Sequence, residues 1–216
     1  MSSPAPARRR NPRGQGGLLR DNIVAAAAEI LEETCNEDAV SLRAVARRIG
    51  ITAPAIYGHF ADREAVLAAV VADAFVDLFE AVTTAGQGHS DPVLRLRATA
   101  AGYLKFADER PGRFRLLFGR RRNLTAGIPQ AESVRDMVGA DAFGTLIEGI
   151  ERCVAAGRSA STDPERDATQ LWIGLHGYAT LRTSVPYFPW PPQDELLDDL
   201  IRRAAFIDVD GARRPG

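Results

Sequence analysis

The chain has 216 residues, of which 45% are hydrophobic and 25% charged, and its formal net charge is −1 at pH 7. This length and composition are typical of a globular protein with one large core or two modest ones. Charged residues interrupt each apolar run before the ~20 residues that a membrane span requires, and the N-terminus lacks a signal-peptide pattern. We therefore expect a cytoplasmic protein.

The sequence shows no motif of a common enzyme mechanism. Cys35 and Cys153 lie far apart and outside any metal-ligand or nucleophile motif, so we expect two reduced thiols, with a redox-sensing pair as the alternative. There are only three histidines, no phosphate-binding glycine loop and no zinc-protease motif. We expect a protein that is not an enzyme and has no catalytic residue, metal or cofactor.

The N-terminus is a candidate basic arm. Residues 1–17 are rich in proline, glycine and arginine, and their composition predicts disorder without DNA. Residues 1–20 hold no acid and five arginines, which are Arg8, Arg9, Arg10, Arg13 and Arg20. Such an arm is either a solubilising tail or a contact to DNA phosphates or the minor groove.

Two short helices separated by a glycine turn follow the first predicted helix, which spans about residues 19–34. In the turn after that first helix, Asn36 is expected to take the left-handed conformation. The next helix has one apolar face, is capped by Ser41 and is ended by Gly50. Its apolar residues are Leu42, Val45, Ala46 and Ile49.

The second short helix has an N-cap at Thr52 and a proline, Pro54, in its first turn. Ile56 and Phe60, four residues apart, are predicted to anchor it inward. Two such helices joined by a short glycine turn form a helix-turn-helix unit, whose second helix enters the DNA major groove.

The rest of the chain also predicts helices, so the expected fold is all-α with about nine helices. A fourth helix from about Arg63 to Thr84 carries an apolar stripe too wide for one neighbour, and Gly86-Gln87-Gly88 follows it. Arg120, Arg121 and Arg122 lie in a predicted loop, either solvated or in contact with an anion. The further helices are predicted at about 91–107, 111–118, 130–156, 163–184 and 193–206.

The residues from Gly50 to Phe60, Gly-Ile-Thr-Ala-Pro-Ala-Ile-Tyr-Gly-His-Phe, together with Asp62-Arg63-Glu64, resemble the DNA-binding motif of the TetR family of transcriptional repressors. Trp172-x-x-x-His176-Gly177 and the segment from Tyr103 to Phe118 resemble one C-terminal-domain subfamily. The resemblance extends from Arg20 to Phe206. It implies a ligand-responsive repressor that binds a palindromic operator as a homodimer.

The resemblance also implies three groups of site residues. The DNA-contacting group is Arg43, Thr52, Ala53, Pro54, Ala55, Tyr57, Gly58, His59 and Arg63. The group lining an effector cavity is Tyr103, Phe106, Phe114, Leu117, Phe118, Phe143, Ile147, Trp172 and His176, although a core role for Trp172 and His176 stays open. The dimer seam is Gly174, Gly177, Leu196, Leu197, Leu200, Ile201 and Ala204, which could equally be intramolecular core.

The expected domain organisation follows from these groups. Residues 1–17 form the arm, 18–64 the helix-turn-helix domain with the start of the fourth helix, 65–210 the effector-binding and dimerisation domain, and 211–216 a tail. The expected partners are double-stranded DNA, a small mainly apolar effector and a second copy of the chain. A helical dimer that acts through protein contacts, with a weakened DNA-binding domain, is the alternative, and activation instead of repression stays open.

Overall fold

A computed structural model describes residues 15–118 and 139–207 of the chain. Over these ranges the protein folds into nine α-helices and one short 3₁₀ helix, without a β-strand, which confirms the predicted all-α fold. The helices are α1 Gln15–Thr34, α2 Leu42–Arg48, α3 Ala53–Ile56, α4 Arg63–Gly86, α5 Pro92–Glu109, α6 Pro111–Phe118, α7 Ala140–Ala155, α8 Pro164–Ser184 and α9 Gln193–Ala204; the 3₁₀ helix η1 is Glu37–Ala39.

The chain divides into two compact units between Val70 and Val71, inside α4. The predicted arm at 1–14 and the arginines at 120–122 lie outside the described residues. Helix α1 begins at Gln15, so residues 15–17 of the predicted arm belong to this helix. None of the described helices is long and apolar enough to cross a membrane.

The first unit buries the apolar faces of α1, α2 and the start of α4 around α3. Each of these helices is amphipathic, so packing them removes their apolar stripes from water. Ile56 of α3 is fully buried at the centre, and Phe60 is 5% exposed. The other buried residues include Ile23, Ala27, Leu31, Val40, Val45, Ala46, Val66 and Leu67.

The turn after α1 differs from the prediction. Cys35, with φ = 47°, takes the left-handed conformation that was assigned to Asn36. Asn36 is extended instead, and its side chain accepts a hydrogen bond from the backbone N–H of Asp38, which caps η1. The prediction was wrong because no residue pattern indicates η1, whose N-cap requires an extended residue.

The second unit has its core among α5, α7, α8 and α9. Three residues predicted for the dimer seam, Leu197, Ile201 and Ala204, are buried in this intramolecular core. Their burial favours the intramolecular core, which the sequence analysis left open as the alternative to a seam for these residues. The apolar spacing of α9 was recognised correctly, but periodicity alone does not tell which chain covers an apolar face.

Cys35 is half-buried and Cys153 is buried, and no disulfide joins the two. Burial raises the pKa of the Cys153 thiol to about 11, and the nearby carboxylate of Asp91 acts in the same direction.

Candidate DNA-binding surface and effector site

Helix α2 of the candidate DNA-binding surface begins and ends as the sequence predicts, whereas α3 ends at Ile56, before Phe60. The Ser41 hydroxyl accepts a hydrogen bond from the backbone N–H of Ala44 at 3.1 Å and caps α2. Gly50 has φ = 70°, a conformation in which a side chain would be strained. The N–H of the next residue, Ile51, then donates to the carbonyl of Ala46 at 2.9 Å. This closes α2 and directs the chain into α3.

Helix α3 presents a small, exposed surface over its buried anchor Ile56. Tyr57, in the turn that follows α3, is 61% exposed. Thr52 occupies the N-cap position in an extended conformation, but its side chain makes no capping hydrogen bond. Of the other residues predicted to contact DNA here, Pro54, Ala55 and Gly58 are exposed and Ala53 and His59 are half-buried.

The arginines of α2 have different environments. Arg43 is exposed, whereas Arg48 bonds to two acids of α1, reaching Glu33 at 2.8 Å and Glu29 at 3.3 Å. The hydrogen bond from Arg48 lowers the pKa of the Glu33 carboxyl. Arg48 thus links α2 to α1, while Arg43 remains open to solvent.

Arg63 is directed into the protein, although the sequence comparison suggested a contact with DNA. Its Nε donates to the carbonyl of Val40 at 2.7 Å, its Nη1 bonds the Glu64 carboxylate at 2.7 Å, and its Nη2 donates to the Glu37 carbonyl. Asp38 lies 3.7 Å from Nη2. The bonds to Val40 and Glu37 could not be predicted from the sequence, because they join residues more than 20 positions apart.

Arg20 is one of the five arginines counted in residues 1–20, and the sequence predicts it in the first helix, after the arm. It lies in α1, and its guanidinium sits over the Phe60 ring, 5.2 Å from the centroid. This cation–π contact joins the start of α1 to the segment after α3.

The second unit contains a cluster of aromatic rings from α5, α6, α7 and α8. The Phe118 ring lies 4.8 Å from His176, 5.0 Å from Phe114 and 6.1 Å from Trp172, measured between centroids. Phe143 packs edge-on against Trp172 at 5.9 Å. We call this set, with Tyr103, the aromatic cluster. The spacings are those at which aromatic pairs attract one another.

A polar pair lies inside the aromatic cluster. The Tyr103 hydroxyl and His176 Nδ1 are 2.9 Å apart and share a hydrogen bond. Burial lowers the pKa of His176 below its usual 6.5 and so favours the neutral ring. Burial also raises the pKa of Tyr103, more than a hydrogen bond from Trp172 lowers it. Near pH 7 the cluster therefore carries polar groups but no charge.

The structure brings the predicted effector residues together but does not separate core from cavity wall. Tyr103, Phe106 and Phe114 are buried, whereas the remaining six are half-buried: Leu117, Phe118, Phe143, Ile147, Trp172 and His176. A surface groove of about 550 Å³ among the described residues lies elsewhere, beside α5. Its lining includes Arg97, Ala98, Ala101, Lys105, Glu109 and Gln193, and it shares no residue with the predicted set.

Comparison with known proteins identifies the family. Residues 23–70 match the family profile described as bacterial regulatory proteins, tetR family. Residues 96–204, half of the chain, match the profile described as tetracyclin repressor-like, C-terminal domain. The chain belongs to the TetR family. It is a transcription regulator with a helix-turn-helix DNA-binding domain.

Three similar proteins each cover more than 80% of the chain. The nucleoid occlusion factor SlmA of Vibrio cholerae is 25% identical over 182 residues, which cover 82% of this chain and 90% of that protein. A protein of unknown function from Rhodococcus sp. RHA1 superposes with a TM-score of 0.72 at 28% identity, covering 89% of this chain and 98% of its own. SmeT, the repressor of the Stenotrophomonas maltophilia multidrug efflux pump SmeDEF, shares the fold, with a TM-score of 0.67 at 22% identity and coverage of 91% and 94%.

The TetR-family chain also leaves an apolar face of α8 exposed. Ile173 is 61% exposed and Leu181 is 50% exposed, and between them Gly177 has open space where a side chain would be. Gly174, by contrast, lies against Leu200 of α9, so it permits an intramolecular approach. Leu196 and Leu200 are half-buried.

Among the described residues, no group of three or more His, Cys, Asp or Glu could hold a metal ion.

Proposed function

We propose that this TetR-family regulator is a repressor that acts in the cytoplasm, binds a palindromic operator as a homodimer and is released by a small, mainly apolar effector. The observation that carries the proposal is the exposed surface of α3 and the turn after it. Tyr57 is 61% exposed there, although large aromatic side chains are mostly buried when they have only a packing role.

The chemistry of this surface sets how DNA would be read. Thr52 and Tyr57 offer hydroxyls, and Arg43 offers a cation to phosphate oxygens. Ala53, Ala55 and Gly58 are too small to hydrogen-bond to base edges, so they contact thymine methyls or let the backbone come close. We therefore expect affinity to come mainly from phosphates and DNA shape, with Pro54 and His59 contributing contacts at the same surface.

The exposed face of α8 supports a dimer. One recognition helix reads few base pairs, so a two-fold dimer over half-sites about 34 Å apart is the usual solution for a helix-turn-helix protein. Exposed Ile173 and Leu181 provide apolar area, and Gly177 allows a second backbone to approach. From the original seam, Gly174, Gly177, Leu196 and Leu200 remain candidates beside these two residues.

The aromatic cluster supports the class of effector. Its rings provide apolar contact area, and the Tyr103–His176 pair is uncharged near neutral pH. An uncharged molecule with an aromatic or aliphatic body suits such a site, because burying a charge without a partner is costly. A molecule that binds one arrangement of the protein better shifts the population toward it and so changes DNA affinity.

The DNA-binding proposal is tested by selecting duplexes from a random pool with the purified protein. The expected product is an imperfect palindrome whose binding weakens steeply with salt. Truncation before Leu18 is expected to flatten the salt dependence if the arm contacts phosphates. A pool without enriched sequences after repeated selection at low salt would overturn the proposal.

The dimer is tested by placing a charge on the exposed α8 face. Ile173→Arg is expected to yield a folded monomer in size-exclusion chromatography with light scattering, with weakened operator binding. Val154→Arg, which changes a partly exposed valine on α7, serves as the matched control and should leave the dimer intact. A dimeric Ile173→Arg variant would contradict the assigned interface.

The effector site is tested through tryptophan fluorescence. The chain has two tryptophans, so Trp190→Phe leaves Trp172 as the single reporter. Uncharged aromatic compounds that enter the cluster should change its emission and, at the same concentrations, release the selected duplex. Compounds that release DNA without altering this emission would point to a different site.

A second candidate function is a helical dimer that acts through protein partners. The small side chains Ala53, Ala55 and Gly58 favour it, since they limit direct base reading. The Vibrio cholerae relative, which bears the name nucleoid occlusion factor, is a reminder that a repressor role is not implied by family membership alone. The duplex selection distinguishes the two candidates, because the second predicts no enriched sequence.

A further inference from the structure

The position of Arg63 at the start of α4 suggests a role different from that of a phosphate contact. Three of its side-chain nitrogens point at acceptors of the protein itself. Nε donates to the Val40 carbonyl at 2.7 Å, Nη2 to the Glu37 carbonyl, and Nη1 to the Glu64 carboxylate at 2.7 Å. The carboxylate of Asp38 lies 3.7 Å from Nη2.

The two carbonyls belong to the short segment that leads into the helix-turn-helix unit. Glu37 is the first residue of η1 and Val40 is its C-cap, so the guanidinium joins both ends of this 3₁₀ turn to α4. The next residue, Ser41, caps α2 through the N–H of Ala44. A contact that fixes residues 37–40 therefore fixes where α2 begins.

The position of α2 in turn sets the position of α3. The N–H of Ile51 donates to the carbonyl of Ala46, and the left-handed Gly50 allows only a tight turn between the helices. The far end of α2 is held separately, by Arg48 on Glu29 and Glu33 of α1. Arg63 and Arg48 thus restrain the two ends of the same helix.

The charges around Arg63 argue against a phosphate as its partner. Two carboxylates, Glu64 and Asp38, lie within 4 Å of its guanidinium and oppose the approach of another anion. To reach a phosphate, the side chain would also have to give up hydrogen bonds to the η1 carbonyls. Charge-assisted hydrogen bonds of this kind are about twice as strong as neutral ones.

We propose that Arg63 is a positioning residue, which orients α2 and α3 for DNA by binding the carbonyls of Glu37 and Val40. The proposal rests on the DNA-binding function. A planar guanidinium can bond two carbonyls in a fixed fork, whereas the ammonium of lysine is a single point charge. Replacement by lysine therefore removes the fork but keeps the charge.

Arg63→Lys is the discriminating variant. A positioning role predicts about tenfold weaker binding to the selected duplex, since hydrogen bonds to charged groups are lost. Binding to a scrambled duplex should be unchanged, so the ratio of the two affinities falls. The slope of log affinity against log salt should stay at its wild-type value, because no phosphate contact is removed.

Two further variants serve as comparisons for the affinity and the salt slope of Arg63→Lys. Arg47→Lys makes the same chemical change at an exposed position of α2 and should leave both affinities at the wild-type value. Arg43→Gln, at a proposed phosphate contact, should lower the salt slope by about 2 in the dimer, close to 0.9 per phosphate. Arg63→Gln removes the charge at position 63 and should keep the wild-type slope, because no phosphate contact is lost. Wild-type affinity in Arg63→Lys, or a lowered slope in Arg63→Gln, would overturn the positioning role.

Hydrogen exchange without DNA tests the same contact independently of DNA binding. Arg63→Lys should speed amide exchange in residues 37–49, while Arg47→Lys should not, and circular dichroism should report the same helix content in both. Unchanged exchange would overturn the proposal even if a duplex is selected. If no duplex is selected but exchange rises, the contact stands and the proposed DNA function fails.

Discussion

The candidate DNA-binding surface around α3 in the first unit and the aromatic cluster of the second unit differ in how the proposed binding role and packing are divided. Around α3 the two tasks belong to different residues, since Ile56 is buried and Tyr57 is exposed. In the aromatic cluster the rings that pack on one another are also those proposed for effector binding, and Phe118 and Trp172 are in ring contact and half-buried. Substitutions around α3 should therefore change either ligand binding or the free energy of unfolding, whereas substitutions in the aromatic cluster should change both.

The largest effect is expected from Phe114→Ala in the aromatic cluster. Phe114 is 7% exposed and packs against Tyr103, Phe118 and His176. Removing the ring leaves a cavity and should lower the free energy of unfolding by about 4 kcal/mol. Chemical denaturation followed by Trp172 fluorescence in a Trp190→Phe background measures it. Phe79→Ala, at a partly exposed ring of α4, is the control and should cost less than about 1 kcal/mol; equal costs would contradict the packing difference.

Tyr57→Ala in the candidate DNA-binding surface is the counterpart of Phe114→Ala in the aromatic cluster. The side chain is largely exposed, so the free energy of unfolding should change by less than about 0.5 kcal/mol. Affinity for the selected duplex should fall roughly 100-fold, because both subunits of the dimer lose a contact. Titration by fluorescence anisotropy measures this, with Tyr187→Ala as the matched loss of an exposed tyrosine. Unchanged affinity in Tyr57→Ala would contradict the proposal that the candidate DNA-binding surface contacts DNA.

Gly50→Ala tests whether the first region depends on backbone conformation. Gly50 has φ = 70°, and a Cβ at this position would meet no other heavy atom. The free energy of unfolding should therefore fall by about 1 kcal/mol through backbone strain alone. Gly144→Ala is the control, because Gly144 lies inside α7 with equally open space. There alanine should stabilise by about 0.5–1 kcal/mol. Thermal unfolding that shifts in the same direction for both variants would contradict this account of the turn.

The smallest expected effect is a pH dependence from the aromatic cluster. Burial lowers the pKa of His176, so below pH 6.5 the unfolded chain binds a proton more readily than the folded one. The contribution of His176 to the free energy of unfolding is complete above pH 6.5 and is lost as the pH falls through the lowered pKa.

The comparison for this pH effect is His176→Asn, whose amide can still meet Tyr103 but does not titrate. Thermal unfolding between pH 7.5 and 5.5 should lose less stability in His176→Asn than in wild type. His89→Asn, at an exposed position, should behave like wild type. An unaltered acid response in His176→Asn would show that His176 does not contribute.

Much of the first unit could be predicted from the sequence, because its signals are local. The Ser41 cap, the Gly50 turn and the inward anchors Ile56 and Phe60 each follow from a residue type at a fixed spacing. The turn at Cys35 could not be predicted in the same way. It depends on the competition between a left-handed residue and the N-cap of η1, and the sequence does not show which of these Asn36 takes up.

Contacts between distant residues account for the other differences. The spacing of Leu197 and Ile201 indicates an apolar face of α9, but only the fold shows that this face is covered by the chain itself. Arg63 lies at the basic position of a recognisable motif, yet its bonds to Glu37 and Val40 depend on where α4 begins relative to η1. In the aromatic cluster the sequence identified which residues meet, while their division between core and ligand contact is a matter of exposed area.

The unlike surroundings of the two thiols have a practical consequence for measuring how this regulator moves. Cys35 is half-buried, whereas Cys153 is buried and its pKa is raised to about 11, so a maleimide fluorophore should attach at position 35 first. Position 35 lies close to residues 37–40, whose Glu37 and Val40 carbonyls accept hydrogen bonds from Arg63. The natural sequence therefore already carries a labelling point for following this segment in real time.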